Sequence, residues 1–317
     1  MSAKRYAIIG TGAIGGYYGA RLQESGCDVH FLLRSDYTHV KNHGLVVESV
    51  DGDILLPQVR AYQDPAEMPP MDGVIIALKT TQNRHLPKIM PVLRENAVVL
   101  VLQNGLDIEA DIANIIPPEQ IMGGLCFICS NKVGPGHIHH LDYGKILLGA
   151  YSATNQQRQL TTTMAEIAED LCRAKIPIDV TDDLFMARWR KLVWNIPYNG
   201  LSVVLNTTTD KLMGDSETKQ TIITLMTEVI TTGNTWAASL APLGRRDIPM
   251  SFATEMLEAT ARMKPYRTSM KIDFDEGRPL EVEAILGNPL RAAQKLGVVV
   301  PEMERLYEQV KALAEGN

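Results

Sequence analysis

Three glycines constrain the architecture of this chain more than any other feature. Gly10, Gly12 and Gly15 form a G-x-G-x-x-G pattern that follows a short β-branched run, Tyr6–Ile9, and opens a helical stretch, Ala13–Ser25. In that context the first glycine permits a tight turn and the second leaves no side chain between backbone and pyrophosphate. The third lets the helix approach the sheet. The helix start turns free N–H groups and a partial positive charge toward phosphates. The loop Gly10, Thr11, Gly12, Ala13, Ile14 and Gly15 therefore reads as a dinucleotide cradle.

The alternation continues through Val29–Leu33, Gly73–Leu78, Ala97–Leu102 and Met122–Ile128, short apolar runs separated by helical stretches. This pattern predicts βαβ units and a doubly wound, mainly parallel sheet of the Rossmann type. Leu45–Ser49 and Asp53–Leu56, joined through Asp51-Gly52, interrupt it as a hairpin. His137–Leu148 reads as a further hairpin arm and Ile176–Val180 as a last strand. From Asp183 onward the periodicity is helical, with Ile222, Leu225, Met226, Val229, Ile230, Trp236 and Leu240 on one long segment. Pro301, followed by Glu302 and Glu304, opens a final helix.

The length of 317 residues suits two domains. The predicted fold class is α/β, with residues 1–180 as a dinucleotide-binding Rossmann-type domain and 181–317 as an all-α domain. Chemistry is expected in a cleft between them.

Charge and hydropathy exclude other classes. Lys plus Arg number 31 against 37 Asp plus Glu, a net charge of -6, so no global positive field gathers nucleic acid or anionic lipid. Apolar runs such as Ala97–Leu102 fall far short of the ~20 residues of a membrane helix. The start, Met1-Ser-Ala-Lys-Arg, lacks a signal peptide's apolar core, so the cytoplasm is the expected compartment. Four cysteines are too few for a disulfide scaffold. Cys126 and Cys129 have the C-x-x-C spacing, but on a strand they point to opposite faces, and no metal site is expected. His137, His139 and His140 read as surface residues of the hairpin arm. Arg188 with Arg190, and Arg245 with Arg246, read as solvated arginines.

The second strand addresses the choice of dinucleotide. An NAD enzyme places an acid there for the ribose 2′-hydroxyl, whereas this chain reads Phe31-Leu32-Leu33-Arg34. Arg34 can fork onto a 2′-phosphate, which predicts NADPH; the alternatives are a solvated arginine or a role for nearby Asp36. Two other strand ends carry Lys79 and Asn104, candidates for the nicotinamide side of a site or simply turn residues.

In the second domain Lys191, Asn195 and Asn199 are spaced i, i+4, i+8 and share one helix face among Leu192, Val193, Trp194, Ile196 and Val203. Such a face either lines a ligand or forms a satisfied buried network. Pro197 is expected to kink the helix. A desolvated lysine there could donate a proton to a carbonyl oxygen during reduction, and Glu281, at the start of a further helix, could keep it charged.

Taken together, the glycine loop, Arg34, Lys79, Gln103-Asn104-Gly105, the run Lys191 to Asn206, and Thr268-Ser269-Met270 through Gly277-Arg-Pro-Leu-Glu281 resemble the ketopantoate reductase family, the 2-dehydropantoate 2-reductases. The similarity runs through nearly the whole chain. The resemblance implies NADPH-dependent reduction of a 2-oxo acid, 2-dehydropantoate, to pantoate on the way to coenzyme A. It implies Lys191 as general acid with Glu281 as active-site glutamate, Lys79 on the cofactor side, and Asn104 touching cofactor and substrate. It further implies Asn195 and Asn199 on the substrate hydroxyl, and Ser269 near its carboxylate. Trp194, Pro197 and Tyr198 mark one branch of that family. The sequence leaves room for a homodimer. Alternatives are a reductase of another small 2-oxo or 3-hydroxy acid, or an NADP(H) sensor, which would need the glycines and Arg34 but not Lys191 together with Glu281.

Overall fold

The computed structural model describes residues 4–240 and 247–316. Arg245 and Arg246 lie outside the described residues. Contacts divide the chain into two units. The first holds the chain up to Gln103 with Ile108–Leu184; the second holds Asn104–Asp107 with Phe185 onward.

In the first unit the strands are β1 (Arg5–Ile9), β2 (Asp28–Leu32), β3 (Leu45–Ser49), β4 (Ile54–Leu56), β5 (Arg60–Tyr62), β6 (Met71–Ile76), β7 (Leu93–Val101), β8 (Ile121–Gly134), β9 (His137–Ala150) and β10 (Ile178–Val180). They form one sheet in the order β4-β3-β9-β8-β7-β6-β1-β2-β5, with β10 beside β9. Pairing is parallel from β8 through β7, β6, β1 and β2 to β5, as crossover connections require. The hairpins β3–β4 and β8–β9 are antiparallel. The chain leaves β1 toward β2 on one side and returns to β6 on the other, so the order reverses between β1 and β6, the position at which such sheets bind ligands.

Helices α1 (Ala13–Glu24), α2 (Tyr37–His43), α3 (Leu86–Ile89), α4 (Ile108–Ala113) and α5 (Thr162–Arg173) accompany the sheet. The apolar stripe of α5, Met164, Ile167, Ala168 and Leu171, is buried, and the hydroxyl of Thr161 caps its first turn. The short strand β5, paired to β2, is absent from the expected pattern because three residues carry no readable period.

The second unit is helical: α6 (Leu184–Val204), α7 (Thr209–Gly214), α8 (Ser216–Leu240), α9 (Ser251–Ala261), α10 (Ser269–Asp275), a π-helical turn Glu283–Gly287, α11 (Asn288–Leu296) and α12 (Pro301–Glu315). Its core joins Trp189, Val193 and Ile196 of α6 to Ile222, Leu225, Met226 and Val229 of α8. Gly233 makes this approach possible, since a Cβ there would lie 3.0 Å from the Trp189 ring. The carboxylate of Glu228, buried in α8, accepts the amides of Glu302 and Met303 and so caps α12. Among the described residues no helix is long and apolar enough to cross a membrane.

Two sequence expectations are corrected. Arg188 is buried rather than solvated, at 3% exposure on the inward face of α6. His140 is fully buried rather than on the surface. On β9 His140 shares the inward face with Ile138, which is also fully buried, and the ladder to β8 is regular through both. The His140 ring packs 4.3 Å from that of Tyr17. Nε2 lies 3.1 and 3.0 Å from the carbonyl oxygens of Asp142 and Tyr143 and therefore carries the proton, so Nδ1 accepts from Ser49 Oγ at 2.8 Å.

Burial pushes the imidazoles of His140 and His30 below their ordinary value, outweighing the nearby carboxylates of Asp51 and Asp28 respectively. The unfolded chain then binds protons more readily than the fold. The stability contributed by the neutral rings is present above about pH 6.5 and is lost as pH falls below it. Urea unfolding midpoints should drop from about pH 7.5 to about pH 5.5. His140→Gln should be less stable at the upper pH yet show a shallower slope.

Candidate functional site

The glycine turn sits at the sheet's reversal point, and backbone contacts dictate its composition. Gly10 has φ +96°, and a Cβ on it would lie 2.5 Å from the Leu78 amide nitrogen just beyond β6. A Cβ on Gly15 would lie 2.2 Å from the Gly10 carbonyl oxygen. Gly12 differs: a Cβ there meets nothing within 4 Å, so the space beside it is open. Gly12 starts α1 without a side-chain cap, and the first turn carries no acid. Open space, uncapped amides and no competing carboxylate fit a pyrophosphate. Thr11 Oγ1 reaches the Leu32 carbonyl at 3.4 Å, fastening the turn to the end of β2, while Ala13 and Ile14 begin the helix.

Beyond β2, Arg34 is exposed, and its Nη1 donates to Gln82 Oε1 at 2.8 Å. Gln82 belongs to the 3-10 segment Thr80–His85, whose first turn closes onto the Lys79 carbonyl through a 2.9 Å bond from the Gln82 amide. The fold thus brings Arg34 beside the segment that Lys79 opens. Asp36 has different partners: it is buried, pairs with Lys132, and accepts the Gly136 amide at 3.0 Å. Although burial alone would raise its pKa, these donors hold the carboxyl below its usual range. Sequence reasoning left this acid open as a ribose ligand; it instead anchors the β8–β9 turn.

In the second unit, Lys191 Nζ donates to Asn104 Oδ1 at 2.7 Å. Residues 87 positions apart are joined because Asn104–Asp107 packs with the helical unit, with Leu106 buried in its core. Lys191 is half-buried on α6, and Asn195 and Asn199 follow on the same face, both buried. Asn199 Oδ1 accepts the Met270 amide at 3.3 Å, fixing the start of α10 that carries Ser269. The hydroxyl of Thr268 caps that helix and bonds Ser202 Oγ at 2.8 Å. Helix α6 runs on through Pro197, with Trp194 stacked on Tyr198 at 4.9 Å. Glu281 is buried, at 5% exposure, immediately before the helical segment that begins at Val282.

Sequence reasoning missed Gln82 and the organising part played by Gln103, whose Nε2 donates to the Leu78 carbonyl at 2.9 Å and to Asn83 Oδ1 at 2.7 Å. Gln82 carries no periodic or motif signal, and Gln103 reads in sequence only as part of the Gln103-Asn104-Gly105 turn. Among the described residues no group of three or more His, Cys, Asp or Glu could hold a metal ion.

Residues 6–153 match the family model described as ketopantoate reductase PanE/ApbA, and residues 183–314 match the model of its C-terminal part. The chain belongs to the ketopantoate reductase family. It is 56% identical over 314 residues to a 2-dehydropantoate 2-reductase of Nostoc sp., covering 99% of this chain and 96% of that one. The crystal structure of a 2-dehydropantoate 2-reductase from Geobacter metallireducens superposes with a TM-score of 0.91 at 41% identity, covering 97% of this chain and 99% of that chain. One from Methylococcus capsulatus gives 0.84 at 29% identity, with 98% and 96% covered. These likenesses span both units, so the α/β architecture with a Rossmann-type sheet and a helical C-terminal part is the family's own.

The two glycines at the helix start should separate cleanly. Gly15→Ala forces a Cβ against backbone and should cost about 1–3 kcal/mol of stability. Gly12→Ala enters open space and should cost less than about 1 kcal/mol, the scale of an N-cap change. Urea denaturation of both variants checks this ordering.

Proposed function

We propose that this chain reduces 2-dehydropantoate to pantoate with NADPH, the glycine loop and Arg34 holding the cofactor and the α6 face handling the substrate. The observation that carries the reading is the Lys191–Asn104 bond, which holds an ammonium group on a face of buried amides, in a chain of the ketopantoate reductase family. Bound NADPH supplies a hydride to the C2 carbonyl carbon, and negative charge grows on its oxygen.

Lys191 Nζ answers that charge with its proton. Asn104 Oδ1, already accepting from Nζ, keeps the ammonium aimed. Glu281 provides a carboxylate that keeps the lysine charged before the proton moves. Asn195 and Ser269 take the substrate's hydroxyl and carboxylate. Asn199 joins them through its amide nitrogen, since its oxygen holds Met270. Lys79 contacts the cofactor from its strand end. Residues up to about 180 form the cofactor-binding part and those after it the substrate part, with Asn104 as the exception in chain order. Arg188 and Arg190 stay protonated and are poor sources of the proton.

NADPH absorbance with 2-dehydropantoate as substrate tests the activity directly, and a panel of other 2-oxo acids tests its specificity. Arg34→Ala should weaken NADPH binding about ten- to a hundredfold, the worth of a charged hydrogen bond, while NADH binding barely changes. Equal losses for both cofactors would remove the 2′-phosphate role. Lys191→Ala should lower turnover about 10²–10⁴-fold with little change in binary NADPH affinity or unfolding midpoint. Near-normal turnover in that variant would mean the proton comes from elsewhere.

A further inference from the structure

The segment that carries Asn104 is gripped by an irregular helical turn. In the π-helical turn Glu283–Gly287 the Asn288 amide closes onto the Glu283 carbonyl, five residues back rather than four. The next amide in that register would be that of residue 289, which is proline and has no N–H. The Ala284 carbonyl instead accepts the Leu106 amide at 2.9 Å, and Asn288 Nδ2 donates to the Leu106 carbonyl at 2.7 Å. Both backbone polar groups of Leu106 are thereby captured. The fit is close: Gly105 has φ +116°, and a Cβ on it would lie 2.5 Å from the Ala284 oxygen. The turn is itself braced, because the Glu283 carboxylate accepts from Arg291 Nη1 at 2.7 Å and from the Tyr307 hydroxyl at 2.8 Å.

A π turn is a poorer helix than the α turn it replaces and recurs where a site needs it. We propose that Asn288 and Pro289 are positioning residues: they clamp Leu106 to the π turn and so place Asn104, two residues upstream, against Lys191. Pro289 keeps the Ala284 carbonyl available for the Leu106 N–H, and Asn288 holds the carbonyl of the same residue. The catalytic consequence rests on Lys191 being the proton donor; the clamp itself does not.

The test uses the full chain carrying Asn288→Ala or Pro289→Ala, the second restoring an N–H that competes for the Ala284 oxygen. Each should speed amide exchange at Leu106 and acylation of Lys191 Nζ by an amine reagent by about three- to tenfold, the weight of one hydrogen bond. Each should lower turnover of 2-dehydropantoate by a similar factor with NADPH affinity unchanged. In a Lys191→Ala background neither should cost further turnover, because both act through that lysine. Unchanged exchange and labelling in both variants, or an equal loss of turnover with and without Lys191, would overturn the clamp. A wild-type chain inactive on 2-dehydropantoate would sink the proposed function alone, and exchange with labelling would still decide the clamp.

Discussion

The first unit is built on an approach of backbone to backbone. Helix α1 meets the sheet where the Gly15 Cα faces the Gly10 carbonyl, and Gly10 in turn lies against the Leu78 amide, distances that leave no room for any side chain. Gly19 lets the helix settle as closely on the side chains of Ile8 and Phe31, so it is drawn onto β1 and β2. The candidate cofactor-binding residues of this unit inherit their positions from that contact. It sets the amides at the helix start, the end of β2 with Arg34, and the end of β6 before Lys79.

The second unit solves a different problem, that of holding polar groups within an apolar bundle. Lone amides and a lysine among leucines and tryptophans would be costly unless each had a partner. Lys191 finds Asn104, Asn199 finds the Met270 amide, and Trp194 donates to Thr260 Oγ1 at 3.0 Å. The partners come from segments remote in sequence. The face is therefore ordered by the same bonds that leave it chemically equipped.

Much of this was legible in the sequence. Strand alternation, the hairpin at Asp51-Gly52 and the long helix through Ile222 and Leu240 follow from periodicity and turn chemistry, which are local. The spacing of Lys191, Asn195 and Asn199 placed them on one face for the same reason. What stayed hidden is non-local or irregular. The burial of His140 depends on which face of β9 is covered, and the ring that packs on it, Tyr17, comes from a helix more than a hundred residues earlier. The engagement of Asp36 depends on Lys132 and Gly136, about a hundred residues on. The partner of Asn104 is set by tertiary packing, and the π turn departs from the one period that sequence reading relies upon.

The fastening of Asp36 also bears on how the cofactor site could be redesigned. An enzyme that favours a ribose 2′-hydroxyl needs a carboxylate at the tip of its second strand, and this chain already carries one two residues past Arg34. That carboxylate is a tie rod: it is buried, charged, and bound to a lysine and a backbone amide of the β8–β9 turn. Freeing it to face a ribose would strand Lys132 and loosen the hairpin, so under the proposed role of Arg34 an exchange of cofactor preference has to introduce its acid at position 34 and leave Asp36 untouched.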